Sequence, residues 1–254
     1  TATTLTPAQS ATGTGINITA SATAGINGGS GWLATDVGRI ISFNSGKAKI
    51  TARTNSTVAV ATITTAFANT DATAAFKLGA FSDTTGHPSC VSFFEQRLVF
   101  AGTTDEPQTL YFSQSGDYEN MTAGTNASDA MVYTIASNQV NKIRYLKAVR
   151  TLLIGTTGGE FSVSADGTDA AVTPTNVTIK RQSSFGAANV DAQPAGNAVL
   201  FLQRAKRKIR ELAYNFDVDG YTAPDLTILA EHVTEGNITE MAYQEEPLAI
   251  VWCV

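Results

Sequence analysis

The sequence predicts an all-β protein: a partial β-propeller of about three and a half blades, preceded by a small β-barrel or sandwich domain. Three observations carry that expectation. Charged residues make up only 15 % of the chain, while Thr, Val and Gly are abundant, a composition suited to pleated, half-buried surfaces. Residues 1–86 hold eight charged side chains and residues 87–254 hold thirty-one, a step that places a boundary at the turn formers 83–88. Beyond that boundary, apolar strands marked by Val99, Leu153, Leu200 and Ile250 recur at intervals of roughly 50 residues.

Elements of the first domain, residues 1–86, follow from short alternating runs. Strands are expected over 15–20, 39–43, 47–52, 57–63 and 74–78, with Asn44-Ser45-Gly46 as the turn of a hairpin. Asp36-Val37-Gly38 is expected to turn on a glycine with positive φ. In the second domain, residues 87–254, each marker strand follows a more amphipathic one: 90–94, 143–148, 190–194 and 238–243. Three of the four are followed by a further strand, at 109–113, 159–164 and 208–214. Runs such as Val199-Leu200-Phe201-Leu202 do not alternate, as expected of a strand buried on both faces. A plain sandwich fits the same runs.

Composition excludes several classes. Apolar content of 43 % with a net charge of -5 is foreign to a disordered chain. Apolar runs such as 198–202 and 249–254 fall far short of the ~18 residues of a membrane-spanning helix. The net charge gives no global attraction to nucleic acid, so any such contact is local. Cys90 and Cys253 share no metal-binding or disulfide spacing. The chain begins at Thr1 and stops at Val254 inside an apolar run, so a fragment of a longer protein is expected.

Candidate chemistry is sparse. His87 precedes a proline and suits a turn; His232 is expected at the end of a short strand or helix. The glycine-rich run 155–160 lacks the Gly-Lys-Ser/Thr ending of a phosphate loop and fits a hairpin connection. Ser164-Ala165-Asp166-Gly167-Thr168 has a sialidase-like Asp-box flavour with the wrong spacing. Asp217, Asp219 and Asp225 offer oxygen ligands around Gly220 for calcium, and equally a solvated turn. Arg204, Lys206, Arg207, Lys208 and Arg210 crowd a hairpin turn and the start of its return strand. On a strand, Lys206, Lys208 and Arg210 would share one face, with Arg207 on the other. Such a cluster suits DNA phosphates or an acidic neighbouring subunit; the plainer reading is a solvated turn that blunts an edge strand. No catalytic set and no cofactor motif can be named, so an enzyme is not expected.

Several segments resemble one family when taken in order: 86–103, 115–120, 135–144, 153–160, 181–186 and 219–227. Together they are similar to the tail nozzle (tail tubular protein B-like) family of short-tailed phages and prophages, over residues 80–254. Residues 36–41 with 47–51 resemble small β-domains inserted in such tail proteins. The resemblance implies a propeller-based structural virion protein, located in the virion tail and assembled in the bacterial host cytoplasm. It implies a homo-hexameric ring beside adaptor and portal-side proteins, with transient passage of DNA and no membrane insertion. It transfers no catalytic residue. Open blade edges predict that residues 1–254 alone form a monomer or a non-native oligomer. The alternative expectation is a carbohydrate-binding or host-surface adhesion module built on residues 1–86. Trp32, after Gly28-Gly29-Ser30-Gly31, would then be exposed rather than packed in a small core.

Overall fold

A computed structural model describes residues 2–137, 141–167 and 170–254. The chain is all-β, and it divides into two compact units, Thr1–His87 and Pro88–Val254. The middle of the family-like segment 135–144 and Thr168 of the Asp-box-like turn lie outside the described residues.

The first unit is one antiparallel sheet. Its strands are β1 (Leu5–Pro7), β2 (Gly13–Ala20), β3 (Ile40–Phe43), β4 (Gly46–Arg53), β5 (Val58–Thr65) and β6 (Lys77–Leu78), in the order β1-β2-β5-β4-β3-β6. Register shifts in β2–β5 and β4–β5 help curl it into a half-barrel, because an extra residue on one strand increases local twist. Small side chains of β4 and β5, Ala48, Ala59 and Ala61, face inward beside Ile50 and Ile63 and make room for Trp32, Ile26 and Phe67. Trp32 is fully buried. The β3–β4 turn is Asn44-Ser45, both at positive φ, the backbone of a two-residue hairpin. Gly46 already belongs to β4; a Cβ there would stand 2.4 Å from the Phe67 ring. The expected glycine is therefore required by close approach, not by the turn.

Asp36 is buried, which sequence reasoning missed. Its carboxylate meets Arg39 at 3.1 Å and accepts from the Leu33 N–H at 2.8 Å, the Asn27 amide at 2.6 Å and the Thr84 hydroxyl at 2.9 Å. Arg39 in turn donates to the Gly79 carbonyl and the Asn27 side-chain oxygen, each at 2.7 Å. A buried ion pair is tolerable when its remaining lone pairs and protons are met in this way.

The second unit is a partial propeller. Its first sheet is β7 (Cys90–Phe94), β8 (Arg97–Ala101), β9 (Thr109–Phe112) and β10 (Met131–Thr134). The second is β11 (Ile143–Ala148), β12 (Leu152–Thr156), β13 (Gly159–Ser164) and β14 (Thr178–Ser183). The third is β15 (Gln193–Ala195), β16 (Ala198–Leu202), β17 (Ile209–Asn215) and β18 (Gly220–Thr222). A two-stranded sheet follows, β19 (Met241–Gln244) with β20 (Ile250–Cys253). Each sheet of this unit is an antiparallel meander in chain order. The first strands β7 and β11 lie together, as do β15 and β19.

Packing between successive sheets explains the unalternated strands. Leu152 and Ile154 of β12 join Val99, Leu110 and Phe112 of the first sheet. Leu153, between them, joins Val199, Phe201 and Leu212 of the third. Leu200 and Leu202 point the other way, to Ile238 and Met241 beside the two-stranded sheet. Period-2 side-chain alternation thus delivers apolar groups to both faces, and the second and third sheets are each a wall of two cores.

Candidate functional site

The basic run closes the β16–β17 hairpin, but it forms no charged strand face. The return strand begins only at Ile209, and Lys206 sits in the left-handed region at φ 61°, its carbonyl accepting from the Ile238 N–H at 2.8 Å. The expected common face of Lys206, Lys208 and Arg210 is therefore corrected: a turn residue and a strand residue cannot alternate in register. Arg210 is drawn inward. Its Nε donates to Gln203 Oε1 at 2.9 Å and its Nη1 to the Ala223 carbonyl at 2.7 Å, with the guanidinium 3.5 Å from the Phe185 ring centroid. Lys208 Nζ lies 2.9 Å from both Asp225 Oδ2 and Glu231 Oε1, and those hydrogen bonds raise its pKa. Arg204 reaches the Thr157 carbonyl at 3.4 Å, and Arg207 is exposed at the loop. Much of the cluster's charge is thus spent on this chain's own carbonyls and carboxylates.

The three aspartates do not converge. Asp225 faces Lys208 and accepts from the Thr227 N–H and hydroxyl at 2.9 and 2.8 Å. Burial works against its charge, yet these donors outweigh burial and hold its pKa below the usual value. Asp219, at φ 45°, accepts from the Tyr214 hydroxyl at 2.6 Å, and the Asp217 N–H is held by Asn215 Oδ1 at 2.9 Å. Among the described residues no group of three His, Cys, Asp or Glu side chains is placed to hold a metal ion, which corrects the calcium candidate. His87 lies 3.1 Å from Asp83, both exposed, and His232 lies in exposed turns rather than at the end of a strand or helix. Thr157-Gly158 forms the β12–β13 hairpin turn, as the glycine-rich run predicts.

Glu160 is the buried acid that sequence patterning hid. It is fully buried at the start of β13, paired with Gly155 of β12. Ser183 donates to its Oε2, and the backbone N–H groups of Phe185 and Gly186 assist, so this carboxyl group helps hold the crossover into the third sheet. Glu160 Oε1 and the buried Tyr145 hydroxyl have no hydrogen-bond partner. Burial raises the Glu160 pKa against its donors and Arg210. Burial, and then the Glu160 charge, pushes the Tyr145 hydroxyl well up. Gly155 is obligatory here, since a Cβ would fall 1.9 Å from the Tyr145 ring.

The stretch from Ile228 to Trp252, which includes the two-stranded sheet, forms an apolar flank of the second unit. Ile228, Leu229, Val233, Leu248 and Trp252 are all exposed, Leu229 at 92 %. Neither cysteine forms a disulfide; Cys90 is buried and Cys253, on β20, is exposed. By contrast Trp32 offers no ring to a sugar, so the adhesion reading of residues 1–86 loses the residue it rested on.

The fold and these surfaces define a partial β-propeller protein with an unusually apolar flank. No protein-family model and no curated protein matches the chain. Among solved structures it is similar to an auxiliary nutrient binding protein from Bacteroides thetaiotaomicron, at 10 % identity and a TM-score of 0.37. That alignment covers 95 % of this chain and 62 % of the other, so this chain spans less than two thirds of that protein's length.

Proposed function

We propose that the chain is a structural virion protein, a tail nozzle or tail tubular component that forms part of the conduit for DNA ejection. The observation that carries this reading is the apolar flank. Large apolar side chains left exposed mark surfaces covered in an assembly where they gather into one patch. Ile228, Leu229, Val233, Leu248 and Trp252 are the residues that neighbouring tail subunits of a homo-hexameric ring would cover. The partial propeller and the ordered family-like segments in residues 80–254 agree with it. Local charge also fits a conduit wall. Lys208 is paired with two carboxylates and Arg210 is held by neutral acceptors, so two of the five cations of the hairpin are tied to this chain's own groups.

Immunogold electron microscopy tests this on purified particles of a phage that carries the sequence. Antibody raised against the chain is expected to decorate the tail, close to the capsid. Particles without label, or label confined to the capsid shell, would overturn the proposal.

A further inference from the structure

We infer that the propeller carries a groove for a neutral oligosaccharide, at the end where the first hairpins of its three complete sheets turn. The turns are Glu95-Gln96, Val149-Arg150-Thr151 and Gly196-Asn197. Two recesses of about 480 and 730 Å³ flank the middle turn, and Val149 and Arg150 line both. The inference is independent of any role in a tail, because it rests on this surface alone.

Each recess contains an aromatic pair set at a steep angle. In the first, Phe93 and Tyr118 meet edge to face, centroids 5.2 Å apart at 76°. In the second, Tyr214 and Tyr221 meet at 5.7 Å and 73°. Phe93 is 61 % exposed, Tyr118 44 % and Tyr214 41 %, so these rings are offered to solvent rather than spent on the core. The second pair is also held in place. Tyr214 donates to Asp219 at 2.6 Å, the Tyr221 hydroxyl meets Thr151 Oγ1 at 2.9 Å, and the Arg150 guanidinium stands 5.9 Å from the Tyr214 centroid. A ring fixed before binding loses little entropy when a ligand stacks on it.

The chemistry of the lining selects the ligand. A pyranose has an apolar C–H face that stacks on an aromatic ring and a rim of hydroxyls that needs donors and acceptors at the edge. Gln96 and Asn197 place amides there, and Glu211 adds a carboxylate. Glu95 and Glu211 together outnumber Arg150, so a polyanion such as a nucleic-acid strand meets net repulsion. Two aromatic stations on either side of one turn fit a ligand of at least two sugar units.

The test is a glycan array of neutral and acidic oligosaccharides, probed with the whole chain and followed by titration of the best ligand. Single-stranded DNA serves as a competitor. Neutral oligosaccharides are expected to bind. Phe93→Ala and Tyr214→Ala should each weaken binding about 10-fold while thermal melting stays close to the parent. Should Tyr214→Ala melt early, Asn197→Ala, on an exposed turn, replaces it and should weaken binding in the same direction. Absence of neutral glycans from the array, displacement by DNA, or binding untouched by Phe93→Ala would overturn the inference.

Discussion

Glu160 is a carboxyl group buried with a donor on one oxygen and none on the other. Burial is the largest influence on it and favours the neutral acid in the folded chain. The folded state therefore binds this proton more tightly than the unfolded state. The associated stability is fully present below the usual carboxylate range and is lost as pH rises through the raised value. Glu160→Gln keeps an acceptor for Ser183, with nothing to titrate. The wild type should lose melting temperature relative to the variant as pH rises from about 4 to 7. Parallel melting curves across that range would show that Glu160 does not titrate differently on folding. No sequence pattern could announce this group. Gly159-Glu160-Phe161 looks like the polar edge of a hairpin, and only the crossover at 183–186 folding back over it makes it buried.

At the scale of the element, the central strands were the most legible. β12 and β16 are buried at every position because they serve two cores, and their bounds follow closely from the sequence. Outer strands were not legible. β14 reads Thr-Ile-Lys-Arg-Gln-Ser and β18 only Gly-Tyr-Thr, so backbone pairing to an already formed neighbour, not side-chain burial, makes them strands. The same cause hid β1 and β10. The basic hairpin was legible as charge and illegible as structure, because its cations choose carbonyls and carboxylates that are distant in sequence. Those partners make Arg210 part of the packed structure rather than a solvated cation. Arg210→Ala removes two hydrogen bonds and a ring contact, and should destabilise the chain by about 1–3 kcal/mol in denaturant unfolding. Arg207→Ala should leave the midpoint unchanged. Equal effects at the two positions would mean that Arg210 is held no better than an exposed cation.

Across the whole molecule, two kinds of surface stand apart from the ordinary polar exterior. The hairpin end of the propeller presents aromatic pairs with amides and carboxylates around them. The flank from Ile228 to Trp252 presents large apolar side chains to water, a surface that a neighbouring subunit would cover in the proposed assembly. Compositional periodicity made the sheets visible in advance. It could not reveal these surfaces, since Leu229 and Trp252 look in sequence like core residues.

The central claim is that this flank is buried in a tail assembly, and the two cysteines report on it directly. Cys253 lies on β20 within the flank and is exposed, whereas Cys90 is buried; burial pushes both thiol pKa values up, so accessibility is what separates them. Maleimide labelling followed by peptide mass spectrometry compares the isolated chain with intact particles. The account predicts that Cys253 is modified readily in the isolated chain and at least about 10-fold more slowly in the particle, while Cys90 resists in both. Equal labelling of Cys253 in the two states would contradict it.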